Sequence, residues 1–491
     1  RSENAAALRL CCANRDLGAV TTTNRHTESR EDEDVSTAAF LQLTRISIAK
    51  RANFARLAPQ FGMLIEFSVE NYRSFRERQT FSMVAAPRLH KKENTFVPDL
   101  LGIKFPPLLK VAVIYGPNAS GKSNLLRALW VIELMLGREP TSTLTLPVSP
   151  FRFDPALSTK PSVFEIHFIA EQVRYIFEAS ATQSRIFSER LTAFPKGKEQ
   201  LLFDRTHQSE SDVYSFGPSL VSEAGQSLLD TWTKLTPPRS LFLAQAVGNS
   251  SESMKLLRPA FEWLRDGMRF LIGSMSGMAD QSQSLIGDSP IHGKDLAEFL
   301  RDVDVPISHI RVHKLKFPPS ARALMSNVLI AQLAGAANGD ELAEVTRNQT
   351  MFTHQTALGE ADIAFQDESE GTKNLVGLWL PWSLRVPKRI GVSGGVMVVD
   401  ELDSSLHPNI VSALIKRQID AEQSSQLIFT THDTHLMDAK ILRRDQFWIT
   451  ERDTNGATRL RSVHDFEGRA SEDIEKRYYE GRYRGLPFVK Q

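Results

Sequence analysis

A lysine and a hydroxyl behind closely spaced glycines can hold phosphate, and one segment of this chain has those residues at the required spacing. Gly116-Pro117-Asn118-Ala119-Ser120-Gly121-Lys122-Ser123 matches G-x-x-x-x-G-K-[ST] in full, and Asn124 follows in the same phosphate-side set. Glycines let consecutive backbone N–H groups point inward at phosphate oxygens, and the next helix presents its positive end. Lys122 then reaches the β- and γ-phosphates of ATP, and Ser123 supplies an oxygen to Mg2+. At average residue frequencies a chain of this length matches the string by chance about 2% of the time. An ordinary glycine turn between strand and helix is the other reading.

Asp400 and Glu401 end the apolar run Val396-Met397-Val398-Val399. An acid at the end of a buried strand can hold Mg2+ through water, and a neighbouring glutamate can orient or deprotonate the attacking water. Apolar strands ending in acids are common, and a lone histidine is more often structural than chemical. Order argues for chemistry here, because the next apolar strand ends in Phe429-Thr430-Thr431-His432-Asp433. On this reading Ser123 and Asp400 form the metal side, while Glu401 and His432, the latter facing the γ-phosphate, are catalytic.

These residues need a strand, a loop and a helix in that order. Leu108 to Tyr115 reads as one buried parallel strand. Ser123 to Leu136 has apolar residues at helical spacing and stops at Gly137, with Pro140 beyond. Met63 to Phe81 reads as two short strands around Asn71-Tyr72-Arg73-Ser74-Phe75. Val163 to Phe194 reads as antiparallel strands, and 220–333 as helical patterns that include Leu256 to Leu271 and Asp295 to Val303. Gly395 to Asp400 and Gln426 to Thr431 are two more buried strands, with a helix from Pro408 to Ala421 between them. Asn455-Gly456 marks a hairpin whose two turn residues both tolerate positive φ. No heptads are sustained, which excludes a long coiled-coil arm.

The chain has 491 residues, 41% hydrophobic and 24% charged, with a formal net charge of +1, which describes a globular protein of two or three units. That balance exerts no global pull on nucleic acid or anionic membrane. The only cysteines, Cys11 and Cys12, are adjacent, which suits neither a disulfide framework nor a zinc site and points to a reducing, cytoplasmic compartment. No apolar run approaches the roughly 18–20 residues of a membrane span. Residues 1–62 read as a disordered extension before a natural start at Met63, with a targeting peptide as the competing view. The expected divisions are 63–140, the first part of the ATPase lobe; 141–360, an inserted β subdomain and helical lobe; 361–450, the second part of the ATPase lobe; and 451–491, a tail.

With these motifs in order, the chain resembles the ABC-type ATPase heads shared by transporters, SMC proteins and DNA-repair ATPases. It is most similar to prokaryotic single-head AAA/ABC-like ATPases of the abortive-infection and OLD-like type. The resemblance runs from Met63 to the C terminus and includes Glu66 to Phe75 and Gly481-Arg-Tyr-Arg-Gly485-Leu-Pro. It implies an α/β P-loop head with an antiparallel β subdomain and an inserted helical lobe. It also implies an ATP-dependent homodimer in which a signature loop from the second subunit caps the nucleotide. Glu368-Ser369-Glu370-Gly371-Thr372-Lys373 looks like that loop through Ser369 and Gly371, although a charged helix start would look the same. By the same resemblance Leu402 to His407 is the dimer-contacting loop, and Arg73 approaches the nucleotide. Two departures stand out: His407 replaces the usual aspartate, and no glutamine between Gly137 and Val163 serves as a Q-loop residue.

Two strings are decoys. Gly391-Val-Ser393-Gly-Gly395 matches the G-x-S-x-G elbow of serine hydrolases, but a strand follows it where the elbow requires a helix. Arg88, His90, Lys91 and Lys92 form a basic cluster without interleaved aromatics, more often a solvated face than a nucleic-acid site. The expected function is an ATPase that gates a separate effector protein in phage defence. About sixty residues follow His432, too few for the Toprim domain of OLD-like nucleases, so a partner must supply any nuclease or toxin activity. A DNA-repair or chromosome-associated clamp that binds DNA is the alternative, and a transporter's ATPase subunit is less favoured.

Overall fold

The computed structural model describes residues 62–100, 102–139, 144–248, 254–273, 276–288, 290–316, 346–383, 395–421, 424–437, 440–468 and 473–486. The extension expected over 1–62 lies, apart from Gly62, outside them, as do both cysteines and residues 391–394 of the elbow string.

At the centre is a six-stranded sheet in the spatial order β11 (Met268–Leu271), β15 (Gly395–Val399), β16 (Ser425–Thr430), β5 (Val111–Tyr115), β17 (Phe447–Arg452) and β18 (Thr458–Ser462). β11 through β17 are parallel, and β18 returns antiparallel to β17. Ala112, Ile114, Val396 and Val398 pack into one core, whereas Val111, Val113, Tyr115, Met397 and Val399 pack into another. Burial on both faces is why these strands are unbroken apolar runs in sequence.

The first core lies against α1 (Lys122–Leu136), α2 (Pro218–Ala224), α3 (Gln226–Leu235), α4 (Arg258–Asp266) and a second, antiparallel sheet. That sheet runs β10 (Ser211–Phe216), β9 (Gln200–Gln208), β8 (Ile186–Phe194), β7 (Val173–Ala181), β6 (Ser162–Ala170), β1 (Met63–Glu70) and β2 (Gln79–Ser82). A short ladder of β3 (Thr95–Phe96) and β4 (Leu108–Leu109) lies beside it in sequence. The second core is covered by α5 (Ser276–Asp288), α6 (Pro290–Asp302), α7 (Glu370–Ser383), α8 (Pro408–Asp420) and α9 (Ile474–Tyr479). The three-stranded sheet β12 (Ile307–Lys316), β13 (Thr346–Thr356) and β14 (Gly359–Ala364) packs with α5 and α6.

The fold is thus the α/β class expected, a P-loop head with an antiparallel β subdomain and a helical lobe. Hydrogen bonding crosses the expected divisions: β1 and β2 join the sheet of β6–β10, and β11, from within 141–360, edges the central sheet. Among the described residues no helix is long and apolar enough to cross a membrane.

Two local expectations are corrected. The run from Leu108 to Tyr115 is two strands, divided at Lys110, whose ammonium leaves the sheet to donate to the carbonyls of Ile419 (2.5 Å) and Ala421 (3.1 Å). The helical pattern from Leu256 to Leu271 is helix only over Arg258–Asp266. Met268–Leu271 is instead a strand, because it finds an open edge at Val396–Val399. The hairpin expected at Asn455-Gly456 is present, joining β17 to β18, with Gly456 at φ 78°. Asp453 Oδ1 also holds the turn, accepting from the N–H groups of Asn455 and Ala457, each at 2.9 Å.

Candidate nucleotide site

Parallel pairing sets the strand ends level. Tyr115 pairs with Ile449, Ile114 with Thr430, and Phe429 with Val399, so the phosphate-loop string, Asp400-Glu401 and Thr431-His432 all leave the same edge of the sheet. The crevice outside the carboxyl ends of parallel strands is where such sheets bind ligands.

The loop from Gly116 to Gly121 is a cradle whose tightness depends on its glycines. Gly116 and Gly121 adopt φ 152° and 106°, and a Cβ on Gly121 would lie 2.1 Å from Thr458 Oγ1 and 2.8 Å from Ser74 Oγ. Thr450 and Thr458, on the C-terminal hairpin, support the loop from behind. Ser120 Oγ bonds Thr450 Oγ1 at 2.6 Å, while Thr458 Oγ1 donates to Ser120 O and shares a hydroxyl–hydroxyl bond with Ser74 Oγ, each at 2.8 Å. Asn124, expected on the phosphate side, commits its amide to Ser74 Oγ at 2.9 Å. Pro117 is half-buried, Asn118 and Ala119 are exposed at the loop's crest, and Ser123 is half-buried in the first turn of α1. Gly121→Ala should therefore cost about 1–3 kcal/mol of local strain and weaken nucleotide binding about tenfold or more. Titration with a fluorescent ATP analogue checks this, and unchanged affinity would refute the cradle.

Lys122 is 6% exposed and its ammonium donates to the carbonyls of Gly116 (2.9 Å) and Pro117 (3.2 Å). Burial pushes its pKa below the usual lysine value, against the opposing pull of Asp400, Glu401 and Asp403. One cation thus stands within electrostatic reach of three acids. Asp400 is half-buried and Glu401 exposed at φ 52°, while Asp403 Oδ2 accepts from the backbone N–H of His432 at 3.2 Å. The His432 side chain is exposed.

The remaining expected residues sit around this centre. Arg73 is exposed in the turn after β1, with Nε donating to the Tyr72 hydroxyl at 3.1 Å; its neighbour Ser74 is the one that touches the loop's support. Ser369 opens α7, its Oγ accepting from Thr372 N–H at 3.1 Å. Gly371 abuts the backbone of Ser405, and Asn374 donates to Ser404 O at 2.8 Å, so this segment lies against the loop after Glu401. A polar crevice lined by Glu370, Asn374, Asp400, Glu401, Ser404 and Ser405 opens between them. His407 caps α8, its Nδ1 accepting from Asn409 N–H at 3.2 Å, which accounts for a histidine there.

Among the described residues no three His, Cys, Asp or Glu side chains are grouped to hold a metal ion. One carboxylate, Asp400, and one hydroxyl, Ser123, instead suit Mg2+ arriving on a nucleotide's phosphates with its waters. Sequence reading missed Ser74, Thr430, Thr450, Thr458 and Asp403. Ser74, Thr430 and Asp403 carried a signal, through adjacency to Arg73 and to the motifs.

A glycine loop between a central parallel strand and a helix, with its lysine set against acids from a nearby strand, defines a P-loop nucleotide-binding fold. The family described as "AAA domain, putative AbiEii toxin, Type IV TA system" matches residues 111–216 and 282–438, more than half of the chain, and the chain belongs to that family. Among solved structures, the SMC head bound to the C-terminal winged-helix domain of ScpA is 12% identical, with 81% of this chain and 97% of that one covered at a TM-score of 0.38. The SMC head domain from Thermotoga maritima is 14% identical, with 81% and 98% covered at a TM-score of 0.33. Likeness at those scores carries no argument about function. No curated protein matches the sequence.

Proposed function

We propose that this chain binds ATP with Mg2+ and hydrolyses it in an ATP-dependent homodimer, and that the cycle gates a separate effector in phage defence in the cytoplasm. The observation that carries the reading is Lys122 buried in its glycine cradle within electrostatic reach of Asp400 and Glu401, at the level ends of parallel strands. Lys122 would exchange the carbonyls of Gly116 and Pro117 for phosphate oxygens. Ser123 and Asp400 would hold the metal, which when bound neutralises charge developing on the transferred phosphoryl group. Glu401, exposed beside Asp400, would orient or deprotonate the attacking water, and His432 would face the γ-phosphate. Such a reaction needs positioning and electrostatics more than covalent help.

The dimer is supported by the way Gly371 and Asn374 rest on Ser405 and Ser404. One surface thereby carries both the signature-like segment and the loop after Glu401, and a second copy would meet both together. Ser369 and Gly371 would complete the partner's site, with Arg73 beside the nucleotide from the chain's own first turn. The family's description, "AAA domain, putative AbiEii toxin, Type IV TA system", supports a place in a toxin–antitoxin pair. The test is phosphate release from ATP by the full chain, with and without duplex DNA. Turnover indifferent to DNA fits the effector gate; DNA-stimulated turnover moves the reading to a DNA-associated clamp; no turnover refutes both.

A further inference from the structure

Thr430 ends β16 and is fully buried, although it carries a hydroxyl at the edge of a polar site. β15 and β16 are parallel and pair Val399 with Phe429, so the next residues, Asp400 and Thr430, lie side by side at the end of the sheet. Three contacts join them. Glu401 N–H donates to Thr430 Oγ1 at 2.8 Å, Thr430 Oγ1 donates to Asp400 Oδ1 at 2.6 Å, and Leu402 N–H donates to Thr430 O at 3.1 Å. An ionised carboxylate only accepts, so the single hydroxyl proton is committed to Asp400 and a lone pair to Glu401. The bond to Oδ1 restrains rotation of the Asp400 carboxylate and leaves Oδ2 for other partners. The bond from Glu401 holds a residue whose φ of 52° lies in the left-handed region that side chains rarely adopt.

We infer that Thr430 is a positioning residue for both acids, aiming the Asp400 carboxylate and fixing the peptide from which the Glu401 side chain projects. The inference rests on the reading of Asp400 as the metal-side acid and Glu401 as the water-side acid. One hydroxyl then links metal-dependent nucleotide binding to turnover, while nucleotide binding without metal stays with the glycine cradle and Lys122.

The experiment compares the full parent chain with Thr430→Val, which keeps the shape and removes the hydroxyl, and with Thr430→Ser, which keeps the hydroxyl. Melting temperature, ATP affinity in a chelator, ATP affinity in Mg2+, kcat and KM are measured for each. Thr430→Val is expected to bind ATP in chelator like the parent. Its gain in affinity on adding Mg2+ and its kcat should both fall, by about 10- to 100-fold, and Thr430→Ser should restore both. If Thr430→Val melts well below the parent, the comparison passes to Thr430→Ser and Thr430→Ala, which differ only in the hydroxyl. A hydroxyl-free variant that keeps the parent's Mg2+ gain and kcat overturns the assignment of Thr430 alone. A parent that neither binds nor hydrolyses ATP overturns the reading of the whole site with it.

Discussion

Lys122→Ala removes ATP binding while leaving the fold in place. The ammonium is buried against two loop carbonyls within electrostatic reach of three acids, so it brings positive charge to the floor of the cradle. Truncating one partner of a buried, hydrogen-bonded charge pair costs about 2–5 kcal/mol, or roughly 30-fold to several thousand-fold in affinity. The fold should survive because α1 is anchored by Leu125, Leu126, Leu129 and Ile132, all buried in the core beside the antiparallel sheet. Calorimetric titration with ATP and a thermal melt check the two halves of this expectation. A variant that binds ATP like the parent would remove Lys122 from the site.

Glu401→Gln should do the opposite, retaining ATP and losing turnover. Glu401 is exposed, and its backbone, not its carboxylate, is what bonds Thr430, so the amide fits without rearrangement. Surface changes of this kind alter stability by about 0.5 kcal/mol or less. Loss of a general base lowers the rate by about 10²–10⁴-fold. If ATP closes two copies and hydrolysis reopens them, the variant accumulates as an ATP-bound dimer. Light scattering with ATP, beside phosphate release, measures both. A monomer with ATP bound would break the dimer proposal while leaving the chemistry intact, and full turnover would remove Glu401 from its role. Together the two variants separate holding the nucleotide from cleaving it.

The elements that position the site were readable where a local pattern and the tertiary environment agree. β15 and β16 lie in the middle of a sheet buried on both faces, so Gly395–Val399 and Ser425–Thr430 had to be apolar runs. The strand of the phosphate loop was readable for the same reason, but not the break at Lys110, which depends on carbonyls of Ile419 and Ala421 about three hundred residues away. Met268–Leu271 looked helical because the four residues following a helix prolong its apolar pattern; only the free edge of β15 makes them a strand. The acids, the lysine and His432 were legible as motif residues. Their proximity was not, since it follows from β16 lying between β5 and β15. Thr450 and Thr458 had no signal, because a threonine in a hairpin becomes a loop support only when β17 pairs with β5. Propensity is local, whereas these roles are made by pairing across the chain.

That pairing also sets a schedule. Ser120 leaves the ribosome long before the hydroxyl that braces it, on Thr450, which comes 330 residues later. At synthesis rates of about 5–20 residues per second the interval is roughly 15–65 s. For most of it the phosphate loop exists as sequence but has neither β16 beside its strand nor the hydroxyls of Thr450 and Thr458 against it. Contacts of such long range are also slow to form, because loop closure must be met before they stabilise anything. Through that interval a nascent chain has no competent nucleotide site, and ATP can engage it only when the central sheet closes around β5.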